Sequence, residues 1–368
     1  MTDERLYQVA LKLIHGIGDV NTKQLVSYCG SAKAIFNSTK GKLQKIPGIG
    51  FKTIESILSS KVLKEAEAEI KKCEQDGTEI LFYTDSKYPS RLKLVNDSPI
   101  VLFSKGVIDF NTRKVIGIVG TRKATEYGKS VTEEIVNDLI PHDAVVVSGL
   151  AYGIDITAHR AALQHNLTTV AVLAGGLDKI YPSVHKKYVR EIMKNGAIVS
   201  EKFIGTAPEA HFFPARNRII AGMSDAVIVV EAAAKGGALI TGEIAHSYNR
   251  DVFAVPGDIS NKYSEGCNKL ISKQKASIYS GIDDLEYLLN WDKDKVSAIN
   301  TKPVLDIDQF DGADRKIIEV LIEFREGLQL DELCWKSQVT VNQAVAILLN
   351  LEFDGHVKSL PGKKYKLV

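Results

Sequence analysis

The chain has 368 residues, enough for two or three domains with their own cores. Its 45% hydrophobic and 25% charged residues are ordinary for a globular protein. No apolar run reaches membrane-span length, and Met1-Thr2-Asp3-Glu4-Arg5 does not open like a signal peptide, so a cytoplasmic location is expected. The four cysteines (Cys29, Cys73, Cys267, Cys334) stand far apart without a C-x-x-C pair, which argues against a disulfide framework and against zinc; no metal and no cofactor is expected. The net charge of +2 carries no global nucleic-acid signature. Residues 1–75 hold twelve Lys or Arg against eight Asp or Glu, so any nucleic-acid site in the middle of the chain must be a local patch.

Residues 1–75 read as a small helical domain. Leu6, Val9, Ala10, Leu13 and Ile14 follow helical spacing, as do Leu63, Ala66 and Ile70. The segment holds a weak repeat, with Gly16-Ile17-Gly18 and Gly48-Ile49-Gly50 each leading into a helix. An apolar residue between two glycines resembles the helix-hairpin-helix motif (a SAM-like arrangement), whose backbone N–H groups can hold a DNA phosphate. Lys23 and Lys52 follow the two turns and would add charge.

Residues 76–290 read as one α/β region. Ile80-Leu81-Phe82 and Ile100–Phe103 suggest strands that extend the sheet. Further strands are expected at Val115–Val119, Ala144–Val147, Thr169–Leu173, Ala197–Ser200, Ala226–Val230 and Val252–Val255, separated by helical patterns. Repeated βα units imply a doubly wound, mostly parallel, extended Rossmann-like sheet. Residues 291–311 read as a polar linker. Residues 312–368 suggest helices at Ile317–Phe324, Leu330–Trp335 and Val341–Leu351, then a hairpin turning at Pro361-Gly362, which is a winged-helix-like arrangement. The Val341–Leu351 helix carries no Lys or Arg, which favours partner binding or packing over DNA reading, although Lys358, Lys363, Lys364 and Lys366 make the wing basic.

The stretch Phe212–Glu243 concentrates the chemistry. Arg216-Asn217-Arg218 forms a basic cluster, a buried strand ends in Glu231, and Gly236-Gly237 opens a helix. Ligands of parallel sheets sit beyond the carboxyl ends of the strands, and helix starts attract phosphate. The first βα turn, Gly117-Ile118-Val119-Gly120-Thr121-Arg122, is not G-x-G-x-x-G, and the second strand ends in Ser148-Gly149 rather than an acid, so dinucleotide binding is disfavoured; the Walker pattern is also missing. Four anion-friendly turns remain, around Gly120, Ser148 to Gly153, Gly175-Gly176, and Lys235 to Gly237. With Arg122, Arg216, Arg218 and Lys235 beside them, they suit a polyanion, and single-stranded nucleic acid fits best. Phe212, Phe213 and Tyr181 are candidate stacking rings. Asp155 and His159 lie i, i+4 and read as a cap and a structural hydrogen bond, because no positioned nucleophile accompanies them.

Several runs resemble one family. They are Gly120-Thr121-Arg122, VVSGLAYGIDITAHRAAL from Val146, VLAGGLDKIYP from Val172, FPARNRIIAGMSDAVIVVEA from Phe213, KGGALIT from Lys235, and the later VPGDI and GCNKLI. Together they are similar to the DNA-processing protein family DprA, also called Smf. The resemblance implies a Rossmann-like core that binds and protects single-stranded DNA, helps load the recombinase RecA in natural transformation, forms a homodimer, and is not an enzyme. It places DNA contacts on Gly120, Thr121, Arg122, Ser148, Gly149, Gly153, Arg216, Asn217, Arg218, Lys235, Gly236 and Gly237, with Arg122 and Lys235 as phosphate partners and Arg218 as a structural brace. Gly16, Gly18, Gly48, Gly50 and Lys52 are further phosphate candidates. The alternative is an enzyme: Gly236-Gly237 to Glu243 is similar to the GGxGTxxE motif of Rossmann-like nucleotide phosphoribohydrolases, although Leu239 replaces the third glycine.

Overall fold

Five short runs of β-branched and small apolar residues set the architecture, because each is buried along its whole length and so must lie inside a sheet covered on both faces. The computed structural model describes residues 3–58, 62–111, 114–291, 310–324, 327–360 and 364–367. These residues fall into two compact units that divide after Trp291. The expected linker lies almost wholly outside the described residues, as do Pro361-Gly362 and Lys363.

The first unit is built on a nine-stranded sheet. Its strands are β1 (Glu79–Phe82), β2 (Val101–Val107), β3 (Val115–Val119), β4 (Val145–Ser148), β5 (Thr169–Val172), β6 (Gly196–Ser200), β7 (Ala226–Val229), β8 (Asp251–Ala254) and β9 (Ser277–Ile278). Their order is β1-β2-β6-β5-β4-β3-β7-β8-β9. The seven strands from β6 to β9 in that order pair in parallel, and β2 and β1 add antiparallel at the β6 edge. The chain therefore runs outward from β3 to β6, returns, and continues from β7 to β9 on the other side. The crevice between β3 and β7 is the topological switch point, where open α/β sheets bind ligands. Most strand ends fall within a residue of the sequence expectation, but β2 runs four residues past the expected Phe103, to Val107. β4 runs on to Ser148, which faces Ala171 of β5.

The N-terminal helices are Asp3–Leu13, Asp19–Cys29, Ala32–Phe36, Lys40–Leu43, Phe51–Leu58 and Val62–Asp76. Leu25, Ile35, Leu43 and Ile54 from them join Phe103, Ala171 and Ile198 of the sheet in one continuous apolar cluster. The helices thus share a core with the sheet. Arg218 reinforces the junction: Nη1 donates to the Asp97 carbonyl at 2.6 Å, while Nη2 reaches Asp19 at 3.3 Å and also pairs with Glu201.

The second unit is a winged helix. Its helices are Gly312–Glu323, Leu330–Ser337 and Val341–Phe353, and its sheet has the order β10-β12-β11 from β10 (Leu328–Gln329), β11 (Val357–Leu360) and β12 (Lys364–Leu367). The first helix starts five residues before the expected Ile317, because its opening turn is polar and shows no apolar period. Val341, Val345, Leu349 and Phe353 form an exposed i, i+4 row along the last helix, which contains no Lys or Arg.

Candidate functional site

A cleft of about 290 Å³ opens at the switch point. Its floor is the turn after β3, which is stitched on both sides. The Thr121 N–H donates to the Glu231 carbonyl at the end of β7 (2.6 Å), and the Thr121 carbonyl accepts from the Ile154 N–H (3.2 Å). Glycines allow this closeness. Gly153 has φ +76°, and a β-carbon there would collide with the Thr121 carbonyl; one at Gly120 would collide with Ile154. The backbone of Arg122 is therefore fixed while its side chain is exposed. The guanidinium carbon lies 5.0 Å from the centre of the Phe213 ring, within cation–π range. Tyr181, half exposed, meets Phe213 edge-on with centroids 5.7 Å apart.

The opposite wall is the start of the Gly237–Ser247 helix. Gly236 is its extended N-cap, and its N–H is spent on the Ala233 carbonyl at 2.8 Å. Lys235 and Gly237 are exposed, and the Asn217 amide donates to the Gly237 carbonyl at 3.4 Å. The positive end of this helix and Arg122 both border the cleft, so it favours anions.

Arg216 lies at the base of the cleft, 4% exposed. Its Nη1 donates to the carbonyls of Gly149 (2.6 Å) and Val172. Burial pulls its pKa down to about 10, with Asp155 opposing the shift, so it stays cationic at neutral pH. Burial pushes the Asp155 carboxyl up, against the Arg216 charge and the Ala151 and Gly149 N–H groups that donate to it. His159 is fully buried and neutral, its pKa pushed down to about 3 mainly by desolvation. The Thr169 hydroxyl donates to the Val146 carbonyl (2.9 Å), so it accepts from His159 Nδ1 at 2.7 Å, leaving His159 Nε2 unpartnered among the described residues. Ser148 is buried and donates to the Ile118 carbonyl at 2.6 Å.

The expected site residues therefore separate into two layers. Gly120, Thr121, Arg122, Asn217, Gly236 and Gly237 line the cleft, while Lys235 lines a neighbouring pocket that shares Gly236 and Ile240 with it. Ser148, Gly149, Gly153 and Arg218 are held against other parts of the protein, and the Arg216 guanidinium is buried at the cleft's base. Sequence alone assigns no role to Glu231. Its carboxylate accepts from both the N–H and the hydroxyl of Thr125, at 2.9 and 2.6 Å, and so ties β7 to the start of the Glu126–Asp138 helix. An acid ending an apolar strand was the available signal. Glu243 does not line the cleft; it pairs with Lys275 at 2.8 Å, which holds its carboxyl below the usual range.

The two G-I-G turns differ. Gly16 and Gly48 both have positive φ, but Lys23 after the first turn donates to the Asn96 carbonyl (2.9 Å) and Ser98 Oγ (2.6 Å). Lys52 after the second is exposed.

Comparison with known proteins gives a consistent answer. The family model for DNA recombination-mediator protein A matches residues 79–290, and that for the DprA winged helix domain matches 308–363. Protein Smf of Synechocystis is 32% identical over 99% of this chain and 98% of its own length. The DNA processing protein DprA of Streptococcus pneumoniae is 42% identical over 55% of this chain and 71% of its own. The X-ray structure of that Streptococcus protein superposes with a TM-score of 0.63, covering 77% of this chain and 97% of that one at 31% identity. The DNA processing protein A of Helicobacter pylori, whose structure is described for its single-stranded DNA binding mode, gives 0.53 over 58% of this chain and 96% of that one, also at 31% identity. The chain belongs to the DNA recombination-mediator protein A family, the DprA or Smf proteins.

Proposed function

We propose that this protein binds single-stranded DNA in the β3–β7 cleft, without sequence preference and without turnover. The observation that carries the reading is the exposed Arg122 guanidinium held over Phe213, facing a helix start across one cleft. A cation for the phosphate, a ring for the base and a dipole for the backbone are what non-specific single-strand binding needs. The likeness to the Helicobacter protein supports it. In this reading Arg122, Lys235 and the Gly236-Gly237 turn take phosphates, Asn217 and Thr121 add hydrogen bonds, and Arg216 and Arg218 act from behind as braces. By family resemblance the bound strand is protected and handed to RecA during DNA uptake and recombination, by a homodimer formed through the Rossmann-like core.

The phosphoribohydrolase reading needs a carboxylate at the glycosidic bond, and Glu243 is instead paired with Lys275 outside the cleft. The test is fluorescence anisotropy of labelled oligo-dT against wild type and Arg122→Ala across a salt series. Salt-sensitive binding that collapses in the variant is the expected result. Absence of wild-type binding at low salt would refute the proposal and send the work to nucleoside monophosphates and base release.

A further inference from the structure

We propose that the lysine-lined pocket next to the cleft is a second phosphate-binding site, which takes the stretch of DNA strand that leaves the cleft. The inference rests on the reading of the β3–β7 cleft as a single-strand site and extends it to residues outside that cleft. The pocket has a volume of about 320 Å³. It shares Gly236 and Ile240 with the cleft, so the start of the Gly237–Ser247 helix forms the ridge between the two. Its far wall is the Glu265–Ser272 helix. That wall is fixed in place. The Gly266 N–H donates to the Ala232 carbonyl at 2.8 Å, and a β-carbon at 266 would collide with the carbonyls of Ala232 and Ala233.

Lys235, Lys269, Lys273 and Lys275 line the pocket against one carboxylate, Glu243. Lys275 is bonded to Glu243 at 2.8 Å and pulls that carboxyl below its usual range, and the charges of Lys273 and Lys269 add to the pull. Three lysines therefore crowd one acid. Lys235, Lys269 and Lys273 are exposed and have no carboxylate partner among the described residues. Cations near the end of a helix complement its negative pole, which accounts for Lys269 and Lys273. It does not account for Lys235, which comes from another loop and faces the same pocket. Like charges gathered in a concavity attract a polyanion, because the walls focus their field. Leu239 and Leu270 add an apolar surface suited to the sugar or base between two phosphates. A strand seated on Arg122 and crossing the ridge at Gly236 meets these lysines next.

The test uses the full-length protein and labelled oligo-dT in a ladder of about 4 to 16 nucleotides, with inorganic pyrophosphate as a free-anion probe followed by calorimetry. The variant is Lys269→Gln/Lys273→Gln. Both side chains are exposed, so the fold should survive, and a circular-dichroism melt checks this. The shortest oligonucleotide, held by the cleft alone, should bind as it does to wild type. The longest should bind about fivefold more weakly or worse, with a salt slope lower by about 1.4, or about 0.7 for each phosphate lost. Lys269→Arg/Lys273→Arg should retain both affinities, and Glu243→Gln, which frees Lys275, should tighten only the long strands. Equal weakening at every length overturns the proposal, as does an unchanged ladder with unchanged pyrophosphate binding. Loss of pyrophosphate binding with an unchanged ladder overturns the strand as ligand and gives the pocket to a free nucleoside di- or triphosphate. A wild type that binds pyrophosphate through these lysines but binds no oligo-dT would refute the cleft reading and leave the phosphate site standing. Oligo-dT binding lost at every length in Arg122→Ala, with the lysine variant unchanged on every probe, does the reverse.

Discussion

Arg216 Nη1 lies 2.6 Å from the Gly149 carbonyl oxygen, and the guanidinium occupies the space that a β-carbon at 149 would need. Two loops from different strands are thus locked by one buried cation, balanced by Asp155. Removing one partner of such a buried set leaves an uncompensated charge, which costs about 3–5 kcal/mol. Arg216→Ala and Gly149→Ala should therefore both lower stability to chemical denaturation by several kcal/mol, and Arg216→Lys should rescue only in part because it lacks the forked geometry. A variant that loses DNA affinity at full stability would place Arg216 on the ligand instead.

Gly153 sets the position of the Arg122 backbone without lining the cleft. It holds φ +76° with the Thr121 carbonyl directly against its α-carbon hydrogen. Gly153→Ala must displace the 120–122 turn, at about 1–3 kcal/mol of backbone strain. Oligo-dT affinity should fall as far as in Arg122→Ala, with a lower melting temperature that Arg122→Ala does not show. Unchanged affinity would mean that the turn is not the site.

How legible this was depends on the distance over which each feature is determined. The buried strands were readable because continuous runs such as Val115–Val119 leave no alternative to a covered sheet. The two-residue β9 was not, since Ser277 and Ile278 are exposed and carry no pattern. The Arg216-Asn217-Arg218 cluster misled as a spatial unit. Residues two apart on a helix point about 200° from each other. Arg216 therefore enters the sheet side and meets Gly149, while Arg218 turns to Asp97, Asp19 and Glu201, and only Asn217 reaches the rim. Their partners lie 17 to 199 positions away in the chain, so no local pattern could assign them. The two glycine turns of the N-terminal repeat likewise look equal in sequence, and only packing separates them.

His159 gives the stability a pH dependence with a defined sign. Its pKa is about 3 in the fold against an ordinary value near 6.5. The unfolded chain takes up this proton first as pH falls, so the contribution is complete above about pH 6.5 and declines toward pH 3. Between pH 6.5 and 5 the loss is about 2 kcal/mol. Denaturant unfolding followed over that range should show a shallower pH slope in His159→Gln, whatever its stability at neutral pH. Identical slopes would mean that the imidazole is protonated in the native state.

Phe213 separates stacking from charge in the cleft. Its ring carries Arg122 at 5.0 Å and Tyr181 edge-on, and it is only partly buried. A base stacked on such a ring contributes about 1–3 kcal/mol. Phe213→Ala should therefore weaken oligo-dT binding by roughly five- to a hundredfold while leaving the salt slope unchanged, since no cation is removed. Arg122→Ala should lower the slope by about 0.7 for each phosphate lost. Phe213→Trp should retain affinity. If Phe213→Ala changed the slope and Phe213→Trp failed to bind, the ring would be acting only as a support for Arg122, and the stacking partner would have to be sought at Tyr181.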